Sequence, residues 1–139
     1  MVFKKLSGLF GGSDKNEKIM VAQRALAFHG LNEYNETTDE IDRLQQVYND
    51  APTRSQKEDI EKLLDRVQCR QDAIRSAAVV LFNRLDGKVD IDVERVFGIT
   101  DKDVAKVSSG IANSNRAPAQ EVVQFLIEEA QSDFINGRI

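Results

Sequence analysis

Few side chains in this sequence could carry covalent or metal chemistry. There is one histidine, His29, and one cysteine, Cys69. A zinc site built on that pair would need carboxylates or a second subunit to complete four ligands. Cys–His nucleophilic catalysis would need the two side by side, and nothing local in the sequence points that way. Asp86, Asp90, Asp92 and Glu94 cluster around Gly87. A calcium loop wants alternating carboxylates first, then Gly, then a distant Glu. Here the Gly precedes most of the acids, so the cluster reads as a solvated linker. Gly8, Gly11 and Gly12 neither follow a strand pattern nor precede a Lys-Ser/Thr pair, so no phosphate loop is expected. These residues lead to no catalytic group, no metal site, no cofactor and no enzyme.

What remains is the chemistry of binding. Residues 31–53 carry Glu33, Glu36, Asp39, Glu40, Asp42 and Asp50 against Arg43 alone, whereas residues 54–84 hold seven basic and five acidic side chains. Lys62, Arg66 and Arg70 follow one another at four-residue steps. As a basic stripe they suit nucleic acid or an acidic partner. The plainer reading, and the favoured one, is that they face the acidic stretch one short loop away or are simply solvated. Near the N-terminus, Phe3, Leu6 and Phe10 fall at helical spacing with Val2 and Leu9 beside them. Lys4, Lys5 and Ser7 lie off that stripe. Gly11-Gly12-Ser13 follows as a joint. A short amphipathic element before a flexible joint is a docking segment by composition, with Phe3, Leu6, Leu9 and Phe10 as its anchors.

Helices must position these groups. The chain has 139 residues, of which 41% are apolar and 30% charged, with two prolines and no tryptophan. That composition suits a helical domain with a core. Asp14 with Glu17 opens a helix that the pattern ends at Gly30. Thr37-x-x-Glu40 is a capping box for a second helix, stopping at Asn49-Asp50-Ala51-Pro52. Thr53-x-x-Gln56 starts the longest helix, to about Leu85. In it Ile60, Leu64, Val67, Gln71, Ile74, Ala78, Leu81 and Leu85 alternate in steps of four and three, a coiled-coil-like seam interrupted by one polar residue. Asp86-Gly87 closes it. Residues 89–93 alternate apolar and acidic, but no second strand pairs with them, so a linker or a helical turn over Val93–Phe97 is expected. Thr100-x-x-Asp103 starts a further helix, and Pro118 suits the first turn of the last one.

The expected fold is all-α: an antiparallel hairpin of residues 34–85 with one long helix, packed by a helix over 14–30, plus a small two-helix module near the C-terminus. The implied divisions are 1–13, 14–87 and 88–139.

Net charge is −4, which argues against nucleic acid as a partner. Residues 97–107 look like the first helix of a helix-turn-helix. However, Gly110 falls one position late for the turn, and the following helix opens Pro-Ala-Gln-Glu rather than with a basic reading face. No apolar run approaches a membrane span. Lys4 and Lys5 precede no continuous apolar stretch, so a cleaved signal is not expected and the cytoplasm, of a cell or an infected cell, is the default setting.

The function these features suggest is a non-enzymatic interaction or assembly subunit. It would present helical faces to protein partners or to copies of itself, including within a particle such as a virion. The alternatives are a peripheral membrane protein tethered by residues 2–10 and a nucleic-acid-binding helical module.

Overall fold

A computed structural model describes residues 11–109 and 113–139, and every regular element among them is helical. Helix α1 spans Gly11–Arg24, a π-helical segment spans Ala25–Gly30, and α2 spans Leu31–Asp50. They follow one another without a break. Helix α3 spans Arg54–Arg84, α4 spans Val93–Val96, α5 spans Asp101–Ser109 and α6 spans Asn113–Ile135.

The hairpin forms as its turn chemistry predicts. Pro52 holds Ala51 extended, which ends α2. Thr53 then caps α3, its Oγ1 accepting the Gln56 amide at 3.2 Å. Lys57 Nζ reaches back to donate to the Tyr48 carbonyl at 2.8 Å and lies 4.5 Å from the centre of the Tyr48 ring. At the far end of α3 the Gly87 amide donates to the Phe82 carbonyl at 3.1 Å, a six-to-one closure. Asp86 (φ 51°) and Gly87 (φ 75°) supply the left-handed turn that this closure needs. Asp92 caps α4, and Thr100 with Asp103 forms a reciprocal box at the start of α5.

Several boundaries differ from the sequence expectation, beginning with Gly11-Gly12-Ser13, which lie inside α1 rather than forming a joint before it. Gly30 does not end a helix. It is buried with helical dihedrals (φ −62°, ψ −45°), and a Cβ there would lie 3.1 Å from the Ala25 carbonyl oxygen, 3.5 Å from Phe97 Cζ and 3.6 Å from Leu126 Cδ1. The missing side chain serves close packing rather than termination. Thr37 accordingly caps nothing: it sits mid-helix, and its hydroxyl donates to the Tyr34 carbonyl at 2.6 Å. The last helix also starts earlier than expected, so Pro118 stands inside it.

One apolar cluster holds the fold together. The first helical stretch gives Val21, Ala25 and Leu26; α3 gives Ile74, Ala77, Ala78 and Leu81, and its C-cap gives Leu85. Val93 and Phe97 join from α4 and its C-cap, and Val122, Val123, Leu126 and Ala130 from α6. Alanines at the contacts let the helix axes approach closely, and Phe97, fully buried, fills the centre with its ring edge-on to Tyr34 at 5.5 Å.

Between Tyr34 and Ala73 no residue joins that cluster. The hairpin therefore projects from the core as a two-helix arm. Its seam is the predicted one, with Leu44 and Ile60 buried, but Leu64 and Val67 are only half-buried because a single helix covers them.

Candidate interaction surfaces

Gln71 sits where the arm leaves the core. It is buried, and its Nε2 donates to the hydroxyls of Thr37 (3.1 Å) and Thr38 (3.0 Å). Arg75 Nη2 donates to its Oε1 at 3.2 Å. The polar interruption in the seam is thus a satisfied layer that fixes how α2 meets α3.

Beyond that layer the two flanks of the arm differ. Arg70 Nη2 pairs with Glu33 Oε1 at 2.7 Å across the hairpin. Val47 follows Glu33 by 14 residues and Leu63 precedes Arg70 by 7. Multiples of seven return a helix to nearly the same side, so both apolar residues stand on the flank that the ion pair marks. They are 41% and 44% exposed. The same register puts the exposed Asp42, Glu58, Glu61 and Asp65 on the opposite flank, with Arg54 beside Glu58 as the cation among them. One flank of the arm is therefore acidic, and the other carries apolar side chains among mixed charges.

The predicted charged residues separate accordingly. Arg66 and Arg70 line a shallow depression with Glu33, Glu36, Thr37, Glu40 and Val67. Lys62 is exposed and lies outside it, because four-residue steps drift by about 40° each around an α-helix. Among the described residues neither Arg66 nor Glu36 has an ion-pair partner, while Glu40 pairs with Arg43. Arg70 also borders a second hollow with Cys69, Ala73, Pro118, Glu121 and the exposed Phe125. The anchors Phe3, Leu6, Leu9 and Phe10 lie outside the described residues.

His29 and Cys69 do not meet. Cys69 is exposed near the start of α6, and His29 faces the far end of that helix, where Asp133 gathers cations. Asp133 Oδ2 takes His29 Nε2 at 2.6 Å and Arg24 Nε at 3.0 Å, and Oδ1 takes Arg138 Nη1 at 3.2 Å. The hydrogen bonds from His29 and Arg24 hold the Asp133 carboxyl at about 2, below its ordinary 3.8. Among the described residues no hydroxyl or thiol is hydrogen-bonded to His29, so the cluster has the form of an electrostatic clamp. Composition gave no hint of it, yet a signal existed. Asp133 falls three residues after Ala130 and seven after Leu126, an acid on a buried stripe.

Among the described residues no group of His, Cys, Asp or Glu could hold a metal ion, and no helix is long and apolar enough to cross a membrane. No family model matches the chain, and no curated protein or solved structure is detectably similar to it.

Proposed function

We propose that this protein is a non-enzymatic interaction or assembly subunit that works by offering helical surfaces to other protein chains. The observation that carries this reading is the projecting arm. Residues 35–72 contribute nothing to the core cluster, yet the chain keeps them as an ordered hairpin with Val47 and Leu63 on one flank. A segment that does not stabilise the core, and that displays apolar side chains on one side only, is built to be covered by something else. The amphipathic segment with Phe3, Leu6, Leu9 and Phe10 adds a second adhesive element near the N-terminus. Nucleic acid draws little support from the basic stripe, since Arg70 is paired with Glu33 and Arg66 stands beside Glu36 and Glu40.

The test is a Val47→Glu/Leu63→Glu variant compared with the wild type for stability and for particle mass by light scattering, alone and with co-purifying host proteins. Expected is unchanged stability, within about 0.5 kcal/mol as for surface changes, together with lost association. Association equal to that of the wild type would remove the arm from the function.

A further inference from the structure

The groove between the end of α3 and α5 has the character that the N-terminal segment requires. Val79, Phe82, Ile91, Val93, Ile99 and Val104 form its apolar wall, and its volume is about 380 Å3. Phe82 and Val104 remain 36% and 41% exposed, so the wall is open to solvent. Its ionisable lining residues are both acidic: Asp92, which caps α4 and lies 3.8 Å from Arg95 Nε, and Glu94, which has no ion-pair partner among the described residues. The segment at residues 2–10 combines a stripe of Phe3, Leu6 and Phe10 with Lys4 and Lys5. Apolar wall meets apolar stripe, and acidic rim meets lysines.

The other hollows fit less well. The one between α1 and α6 includes Lys15 and Arg84, which would repel Lys4 and Lys5. The depression on the arm mixes Arg66 and Arg70 with three glutamates, and Val67 is its one apolar lining residue, so it has no wall for the apolar stripe. We propose that residues 2–10 of one copy dock into the groove formed by Phe82, Ile91, Ile99 and Val104 of a second copy.

Connectivity decides between the chain's own groove and that of another copy. Phe10 is bonded directly to Gly11, where α1 begins. Helix α1 lies along the side of α3 that carries Arg84 and Leu85, whereas the groove opens on the side that carries Val79, Phe82 and Asn83. A chain reaching its own groove would have to pass round the end of α3, using up residues that the docked stripe needs. A second copy has no such limit. The contact is then head-to-tail: each copy gives a segment and receives one, so association continues into an open chain or closes as a ring.

This inference rests on the assembly reading and fails separately from it. Two full-length variants are needed. In the donor, Val104→Lys/Glu94→Lys places cations in the groove at exposed positions and leaves the segment intact. In the acceptor, Phe3→Asp/Phe10→Asp destroys the segment and leaves the groove intact. Circular dichroism checks that both remain helical. Sedimentation equilibrium of the wild type should show association: a closed dimer where two copies exchange segments reciprocally, or mass rising with concentration beyond a dimer where the chain stays open. Each variant alone should associate at least about tenfold more weakly, and the equimolar mixture should stop at a dimer. Phe82→Ala, which trims the wall without adding charge, should weaken association in the same direction. If the acceptor variant is monomeric while the donor variant and Phe82→Ala associate like the wild type, the segment docks elsewhere. The groove is then overturned, and the assembly reading stands. A wild type that stays monomeric at all concentrations overturns the self-docking proposal outright. The arm then remains as the surface for a different protein.

Discussion

His29 Nε2 stands 2.6 Å from Asp133 Oδ2, joining the π-helical segment to the last turns of α6 across 104 residues of sequence. Arg24 grips the same oxygen from one turn earlier, and its guanidinium lies 3.7 Å from the centre of the Phe28 ring. A single carboxylate thereby fastens the first helical stretch to the last.

That clamp gives an acid-stability signature. The Asp133 carboxyl titrates near 2 in the folded chain, against an ordinary value of 3.8. A depressed folded value means that the ionised form stabilises the fold. The contribution is complete above about pH 4 and disappears as pH falls toward 2. Asp133→Asn should be less stable than the wild type at pH 7. It should also lose stability more gently between pH 4 and pH 2, with urea midpoints at each pH as the measurement. Parallel pH profiles would show that Asp133 is not linked to folding.

Gly30 makes a prediction of unusual sign. An alanine in place of a mid-helix glycine ordinarily stabilises by about 1 kcal/mol. Here the new methyl would press on the Ala25 carbonyl oxygen at 3.1 Å, a backbone atom of the π-helical segment, while Phe97 and Leu126 at 3.5 and 3.6 Å leave it no room to shift away. Gly30→Ala should therefore destabilise by about 1–3 kcal/mol, as overpacked sites do. Thermal unfolding decides it, and a raised midpoint would contradict the close packing.

Core and arm should respond differently to the same kind of truncation. Ile74 is fully buried in the central cluster, so Ile74→Ala should cost about 2–5 kcal/mol. Leu64 lies on the arm seam and is half-buried, so Leu64→Ala should cost roughly half as much. Equal losses in chemical denaturation would mean that the arm is as well packed as the core.

Gln71 tests the polar layer. Gln71→Ala removes the donor to Thr37 and Thr38 and the acceptor of Arg75. The loss should be about 1–3 kcal/mol, because Thr37 is buried and would lose a partner. Gln71→Leu should recover part of that stability while relaxing the register of α2 on α3, visible as altered mass or broadened amide spectra.

Much of the architecture was legible because local signals and tertiary packing agree. The Thr53 cap, the Asp86-Gly87 stop and the Thr100–Asp103 box rest on contacts within one or two turns, and the seam from Ile60 to Leu85 shows as a helical period, so sequence spacing encodes them directly. Gly30 and Thr37 misled for one shared reason. Glycine and threonine also serve tertiary contact, and nothing local separates a glycine that ends a helix from one that admits Phe97 and Leu126. The apolar flank of the arm was hidden similarly. Val47 and Leu63 look unremarkable until the Glu33–Arg70 pair fixes which sides of the two helices come together. The acidic groove was present in the sequence only as Asp92 and Glu94 on a linker, with no sign that Phe82 and Val104 would stand across from them.

The unbroken run from α1 through the π-helical segment into α2 makes the arm a lever. The part of α2 that lies beyond the core, residues 35–50, is about 24 Å long, and it continues the stretch that Asp133 grips. A tilt of roughly 10° at that base carries the tip by about 4 Å at this rise per residue. A change of that size in the hold of α6 on Arg24 and His29 would move the end of α2 that carries Val47.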